Sequence, residues 1–157
     1  MIERILQKKC ISLSKRYPVI TINGPRQSGK TTLARMSFSK KAYTNLEEPD
    51  TRKFAIEDPR GFLKNFPNGA IIDEIQRAPT LTSYIQSIVD TSRKNGLFIL
   101  TGSQQFEISQ TISQSLAGRT AIIKLLPFSL KELRVLKKEI PLNRLLLNES
   151  DRQPPYF

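Results

Sequence analysis

Apolar residues recur at Ile2, Ile5, Leu6, Cys10 and Leu13, the spacing of one helical face, and Pro18 closes that segment. The period then changes. Residues 19–23, VITIN, are a short β-branched run that predicts a buried strand, and residues 30–39 resume a helical pattern with Leu33 and Ala34. KAYTNLEEP, residues 41–49, supplies a second strand, after which Asp58 and Pro59 read as the cap and first residue of a helix carrying Phe62, Leu63 and Phe66. GAIIDEIQ, residues 69–76, is a brief apolar run that ends in two acids.

From 79 to 95, Leu81, Tyr84, Ile85, Ile88 and Val89 keep helical spacing, and Asn95 with Gly96 supplies a stop signal. LFILTGS, residues 97–103, reads as a buried strand, followed by a polar helix from about 107 to 116 and a fifth strand in TAIIKLL. Ser129 and Glu132 are placed as a capping box for one more helix, with Leu133, Leu136 and Ile140 facing inward. Beyond Asn148 the chain is polar and proline-rich. Strands alternating with helices predict an α/β fold whose parallel sheet is covered on both faces.

Composition narrows what such a fold does. The 157 residues are the size of one domain, with 25 Lys and Arg against 14 Asp and Glu, a formal charge of +11 and a pI near 10.0. That balance fits either a polyanion partner, nucleic acid included, or a solvated basic face. Lys8, Lys9, Lys15, Arg16, Lys137 and Lys138 are scattered with few interleaved aromatics, so no base-stacking platform stands out. The single cysteine, Cys10, excludes an internal disulfide and suggests a reducing, cytoplasmic setting. Histidine is absent, which removes His-based triads and most catalytic zinc sites. No run approaches 18 apolar residues and no apolar signal core is present, so no membrane association is expected.

The candidate chemistry lies between the first strand and its helix. Gly24, Gly29, Lys30 and Thr31 satisfy GxxxxGK[ST], whose loop amides and helix N-terminus cradle phosphates. The nucleotide-binding set is Gly24, Pro25, Arg26, Gln27, Ser28, Gly29, Lys30, Thr31 and Thr32. In it Lys30 neutralises the β- and γ-phosphates and Thr31 ligates Mg²⁺. A glycine turn joining strand to helix would explain Gly24, but not the lysine and hydroxyl after Gly29.

An acid at the end of a buried strand complements that loop. Asp73 follows two isoleucines and is placed to hold Mg²⁺ through water, while Glu74 suits polarising the attacking water. The alternative is two solvated acids at a strand end, which the loop upstream makes the lesser reading. Thr101 and Ser103 end the next strand beside the same crevice; Ser103 would orient the water or sense the γ-phosphate, or else cap a helix. Arg119 follows Gly118 at the start of the last strand, where it serves either as a finger on a neighbouring subunit's nucleotide or as a partner for its own domain's carboxylates. No NKxD segment argues for guanine.

In order and spacing, "GPRQSGKTTL", "IIDEIQ", "FILTGSQQF", "SLAGR" and "LLPFSLKEL" resemble an AAA+ ATPase core. They resemble more closely the prokaryotic AAA family of ATP-binding proteins that carry a restriction-endonuclease-like C-terminal domain. The resemblance implies a three-layer P-loop fold with a five-stranded parallel sheet ordered 5-1-4-3-2. It also implies ATP and Mg²⁺ as ligands, Asp73 and Glu74 as the Walker B pair, and Ser103 in the sensor position. Residues 1–145 would be the core, with 1–17 its N-terminal helix, and 146–157 a tail toward a lid and C-terminal domain that this chain lacks. The expected function is Mg²⁺-dependent ATP hydrolysis. Alternatives are a nucleotide-gated switch or scaffold with slow hydrolysis, homo-oligomeric or not, and a nucleic-acid-associated NTPase using the basic surface.

Overall fold

The computed structural model describes residues 5–103, 110 and 114–126. Val19–Gly24 (β1) is buried along its whole length, because it has a strand on either side and helices over both faces. It pairs in parallel with Phe98–Ser103 (β4) and with Thr120–Lys124 (β5). Ala70–Asp73 (β3) pairs with β4, and Ala42–Asn45 (β2) with β3, giving the order β2-β3-β4-β1-β5. This is the expected order, counted from the other edge.

Alternation along each strand builds two cores. Ile20, Ile22, Ile71 and Ile99 point to one face and meet Cys10 of Ile5–Ser14 (α1) and Leu33 and Ala34 of Lys30–Ser37 (α2). Val19, Ala70, Ile72, Phe98 and Leu100 point to the other. There they meet Ala55 of Pro49–Glu57 (α3), Phe62 and Leu63 of Pro59–Lys64 (α4), and Leu81, Ile85 and Val89 of Leu81–Ser92 (α5). Each of these large side chains contributes about 1.5–3 kcal/mol on leaving water. A one-residue slip of any strand would exchange its two faces, so the strand ends are held in fixed register. Gly24 lies opposite Ser103, and Asn45 opposite Asp73.

Three local outcomes differ from the expectation. The chain forms α3 where the pattern showed no helix: Pro49 and Asp50 start it well, but Phe54 and Ile56 face solvent and only Ala55 is buried. Helix α5 ends before Asn95, with Arg93 in the left-handed capping conformation at φ 52°. After Asp73 the chain makes a 3-10 turn, Ile75–Arg77, with Glu74 left-handed before it. Asp58 caps α4 as expected, accepting from the Gly61 amide at 2.9 Å. The helix carrying Ser129 and Glu132, the tail 146–157 and most of the 107–116 helix lie outside the described residues. Among the described residues, no helix is long and apolar enough to cross a membrane.

Candidate active site

The loop between β1 and α2 turns twice through left-handed conformations, at Gln27 (φ 60°) and Gly29 (φ 86°). Such turns aim successive amides into one concavity. Among the described residues no side chain caps α2, and its first intrahelical bond is donated by Leu33 to Gly29 at 2.9 Å. The amides of Lys30, Thr31 and Thr32 precede that bond, in the turn where helix geometry supplies no carbonyl. An anion is the partner this end accommodates. Gly24 serves differently: its φ is ordinary, but a Cβ there would lie 2.2 Å from the Leu125 carbonyl oxygen and 2.9 Å from Ser28 Oγ.

Lys30 is only 5% exposed, so its ammonium needs partners. It finds them in the loop, donating to the carbonyls of Gly24 at 3.1 Å and Pro25 at 2.7 Å. Thr31, one residue on, donates to Asp73 Oδ2 at 2.8 Å, which joins the helix start to the end of β3. Asp73 is buried and accepts two further hydroxyls: Thr101 on Oδ1, and Tyr43 on Oδ2 at 2.8 Å. Burial, and then the bond to Asp73, push the Tyr43 hydroxyl up to about 12. The Arg35 guanidinium lies over the Tyr43 ring, 4.8 Å from its centre.

Glu74 sits at φ 58°, a conformation uncommon for any residue but glycine. Its amide donates to Thr101 Oγ1 at 3.2 Å, and its carboxylate accepts from Gln76 Nε2. The same Gln76 nitrogen donates to Ser103 Oγ at 2.9 Å. A cleft of about 490 Å³ opens above these groups, walled by Arg26, Gln27, Gly29, Lys30, Thr31, Thr32, Glu47 and Glu74. Asp73 and Ser103 stand behind that wall and reach it through Thr31 and through Gln76 with Glu74. Glu47 lies 3.7 Å from Arg26 and 3.9 Å from Arg77, loose pairs at the rim.

The structure thus brings the loop, Asp73, Glu74 and Ser103 together, and places Arg119 elsewhere. Arg119 holds Asp90 of α5 through both carboxylate oxygens, at 2.5 and 2.9 Å. That bond lowers the Asp90 carboxyl below its ordinary range and raises the guanidinium. Of the two expected roles for Arg119, its contacts are those of a partner for its own domain's carboxylates. Tyr43, Gln76 and Glu47 were not anticipated. Nothing in a strand tyrosine or a rim glutamate marks it, whereas Gln76 stands within the IIDEIQ motif.

Hydroxyl and carboxylate are hard oxygen donors suited to Mg²⁺, and Thr31 and Asp73 present one of each in contact. Among the described residues no cluster of three acids, cysteines or histidines forms a metal cage. Ser28 Oγ, buried beside Gly24 and without a partner among the described residues, is a further polar atom of the loop.

A family model described as AAA domain matches residues 16–134, most of the described structure. The chain belongs to this AAA domain family. Uncharacterised proteins of Mycobacterium tuberculosis and Mycobacterium bovis are each 34% identical to it over 113 residues, 70% of this chain and 25% of theirs. The chain therefore spans about a quarter of the curated relatives it matches. Among solved structures, a Walker-type ATPase of Pyrococcus abyssi superposes with TM-score 0.58 at 17% identity, covering 92% of this chain and 61% of that one. AMPPCP-bound DnaA of Aquifex aeolicus gives 0.53 at 15%, covering 87% and 50%. At these identities the likeness is one of fold alone, and it agrees with the parallel P-loop sheet described above.

Proposed function

We propose that this AAA domain binds ATP with Mg²⁺ and hydrolyses it. The observation that carries the reading is the 2.8 Å bond from Thr31 to Asp73 under an uncapped helix start, with Glu74 on the wall of the same cleft. The AMPPCP-bound state of DnaA, which shares the fold, supports a nucleoside triphosphate as the ligand. Lys30 exchanges loop carbonyls for the β- and γ-phosphates, and the amides of 29–32 bind phosphate oxygens. Thr31 and Asp73 would hold Mg²⁺, whose charge neutralises the phosphate oxygens when it is bound. Glu74 orients the attacking water and draws its proton, and Ser103 donates to the γ-phosphate. The buried free thiol of Cys10 supports a reducing, cytoplasmic setting.

A slow, nucleotide-gated switch is the second reading. It is favoured by the contact that holds Arg119 on Asp90, away from the cleft. Calorimetry with ATP, ADP and GTP, with and without Mg²⁺, tests the shared premise. Lys30→Ala should abolish binding, while Glu74→Gln should keep binding and lose phosphate release. Binding unchanged in Lys30→Ala refutes the site, and negligible release by the unaltered chain at every concentration selects the switch.

A further inference from the structure

Phosphate binding gives Gln76 no task, yet one amide group makes two contacts there. Its nitrogen donates to Glu74 and to Ser103 Oγ. A primary amide has two N–H bonds, so both donors are committed to residues that act on different atoms of the nucleotide. The amide's orientation follows from chemistry: a carboxylate only accepts, so the nitrogen must face Glu74. Oε1 then turns toward Gly102, buried and without a partner among the described residues. A Cβ at 102 would stand 3.0 Å from that oxygen, so the glycine leaves Gln76 its room. Glu74 is itself in a left-handed conformation, with its amide on Thr101 and its carboxylate on Gln76.

We propose that Gln76 is a positioning residue that joins Glu74 and Ser103 into one hydrogen-bonded unit. The inference rests on reading Glu74 as the base and Ser103 as the γ-phosphate contact. Because Ser103 Oγ accepts from Gln76, the hydroxyl keeps its own proton to donate to phosphate. Movement of that hydroxyl toward the γ-phosphate pulls on the amide that holds the carboxylate. Gln76 thereby makes the orientation of the base depend on whether a third phosphate is present.

Gln76→Met keeps the side-chain length and removes both donors. ADP affinity in the full chain should stay within about twofold, while single-turnover hydrolysis falls about 10²-fold, the loss a misplaced group costs. The losses from Gln76→Met and Ser103→Ala should not add in the double variant. The preference for ATP over ADP, read by calorimetry, should shrink equally in the two single variants. In the free protein, the side-chain amide pair of Gln76 in the ¹H–¹⁵N spectrum should shift with Glu74→Ala and with Ser103→Ala, a test that stands if Gln76→Met does not fold. Hydrolysis by Gln76→Met at the parental rate, or an amide pair unmoved by both alanine variants, overturns the proposal. A chain that binds ATP without hydrolysing it refutes Glu74 as a base; coupling is then judged on the ATP-over-ADP preference, and its persistence in Gln76→Met overturns it.

Discussion

Replacing Gly24 by alanine brings a methyl carbon to 2.2 Å from the Leu125 carbonyl oxygen, which would have to retreat to 3.0 Å or beyond. That oxygen is on backbone, and Leu125 is tied to the same place by its amide, which donates to Asn23 at 2.6 Å. The strain therefore falls on the end of the β1–β5 pairing, and overpacking of this kind costs about 1–3 kcal/mol. With no flexible side chain to yield, the upper end applies, which in a domain of this size lowers the melting temperature by about 6–12 °C. Gly29→Ala fails for another reason: among the described residues nothing beyond its chain neighbours would lie within 4 Å of the new methyl, but φ is +86°. The left-handed penalty is about 1–2 kcal/mol, or about 2–8 °C. Thermal unfolding of both variants by circular dichroism, at one protein concentration, should rank Gly24→Ala below Gly29→Ala. Parental stability in Gly24→Ala, or a larger loss in Gly29→Ala, would refute the distinction between close approach and backbone conformation.

Tyr43→Phe removes one of two hydroxyls on Asp73 Oδ2 and should cost about 1 kcal/mol in urea unfolding, since Thr31 and Thr101 remain; no change would mean that Asp73 does not depend on the β2 edge. Burial raises the Cys10 thiol from 9.0 to about 11. Its contribution to stability is full below pH 9 and is lost as pH rises toward 11, because the unfolded thiol ionises first. Stability measured across that window should fall more steeply in the parent than in Cys10→Ala, and equal slopes would contradict the burial argument. Asp90→Ala frees Arg119. If the guanidinium then serves a neighbouring chain's nucleotide, turnover per chain should climb with protein concentration more than in the parent; an unchanged dependence leaves Arg119 a structural partner of α5.

What could be read in advance was whatever the chain repeats or concentrates. Strands β1, β3 and β4 are apolar runs, and the loop motif carries its glycines, lysine and threonine within eight residues, so both were legible. Helix α3 was not, because a helix lying mostly in water has no apolar stripe; its start signal, Pro49 with Asp50, falls where the expected strand segment ends. Tyr43 reaches Asp73 only because β2 pairs with β3, and no spacing in the sequence encodes that pairing. Gln76 was in view as part of a motif, but its role depends on the left-handed turn at Glu74, which sequence alone does not announce.

The same contacts say what the cleft does before anything enters it. Lys30 rests on two carbonyls, Thr31 on Asp73, and Glu74 on Gln76, so each group assigned to the nucleotide already has a partner of complementary kind. Nucleotide binding is then an exchange of hydrogen bonds rather than the addition of new ones, and its net gain per contact is the difference between two similar terms. The amides of Lys30, Thr31 and Thr32 are the exception, since among the described residues no side chain caps α2, and no carbonyl precedes them in the helix. Affinity should therefore depend more on the phosphates seated at that helix end than on Asp73. Asp73→Asn should weaken the Mg²⁺ requirement more than it weakens ADP binding in the absence of metal.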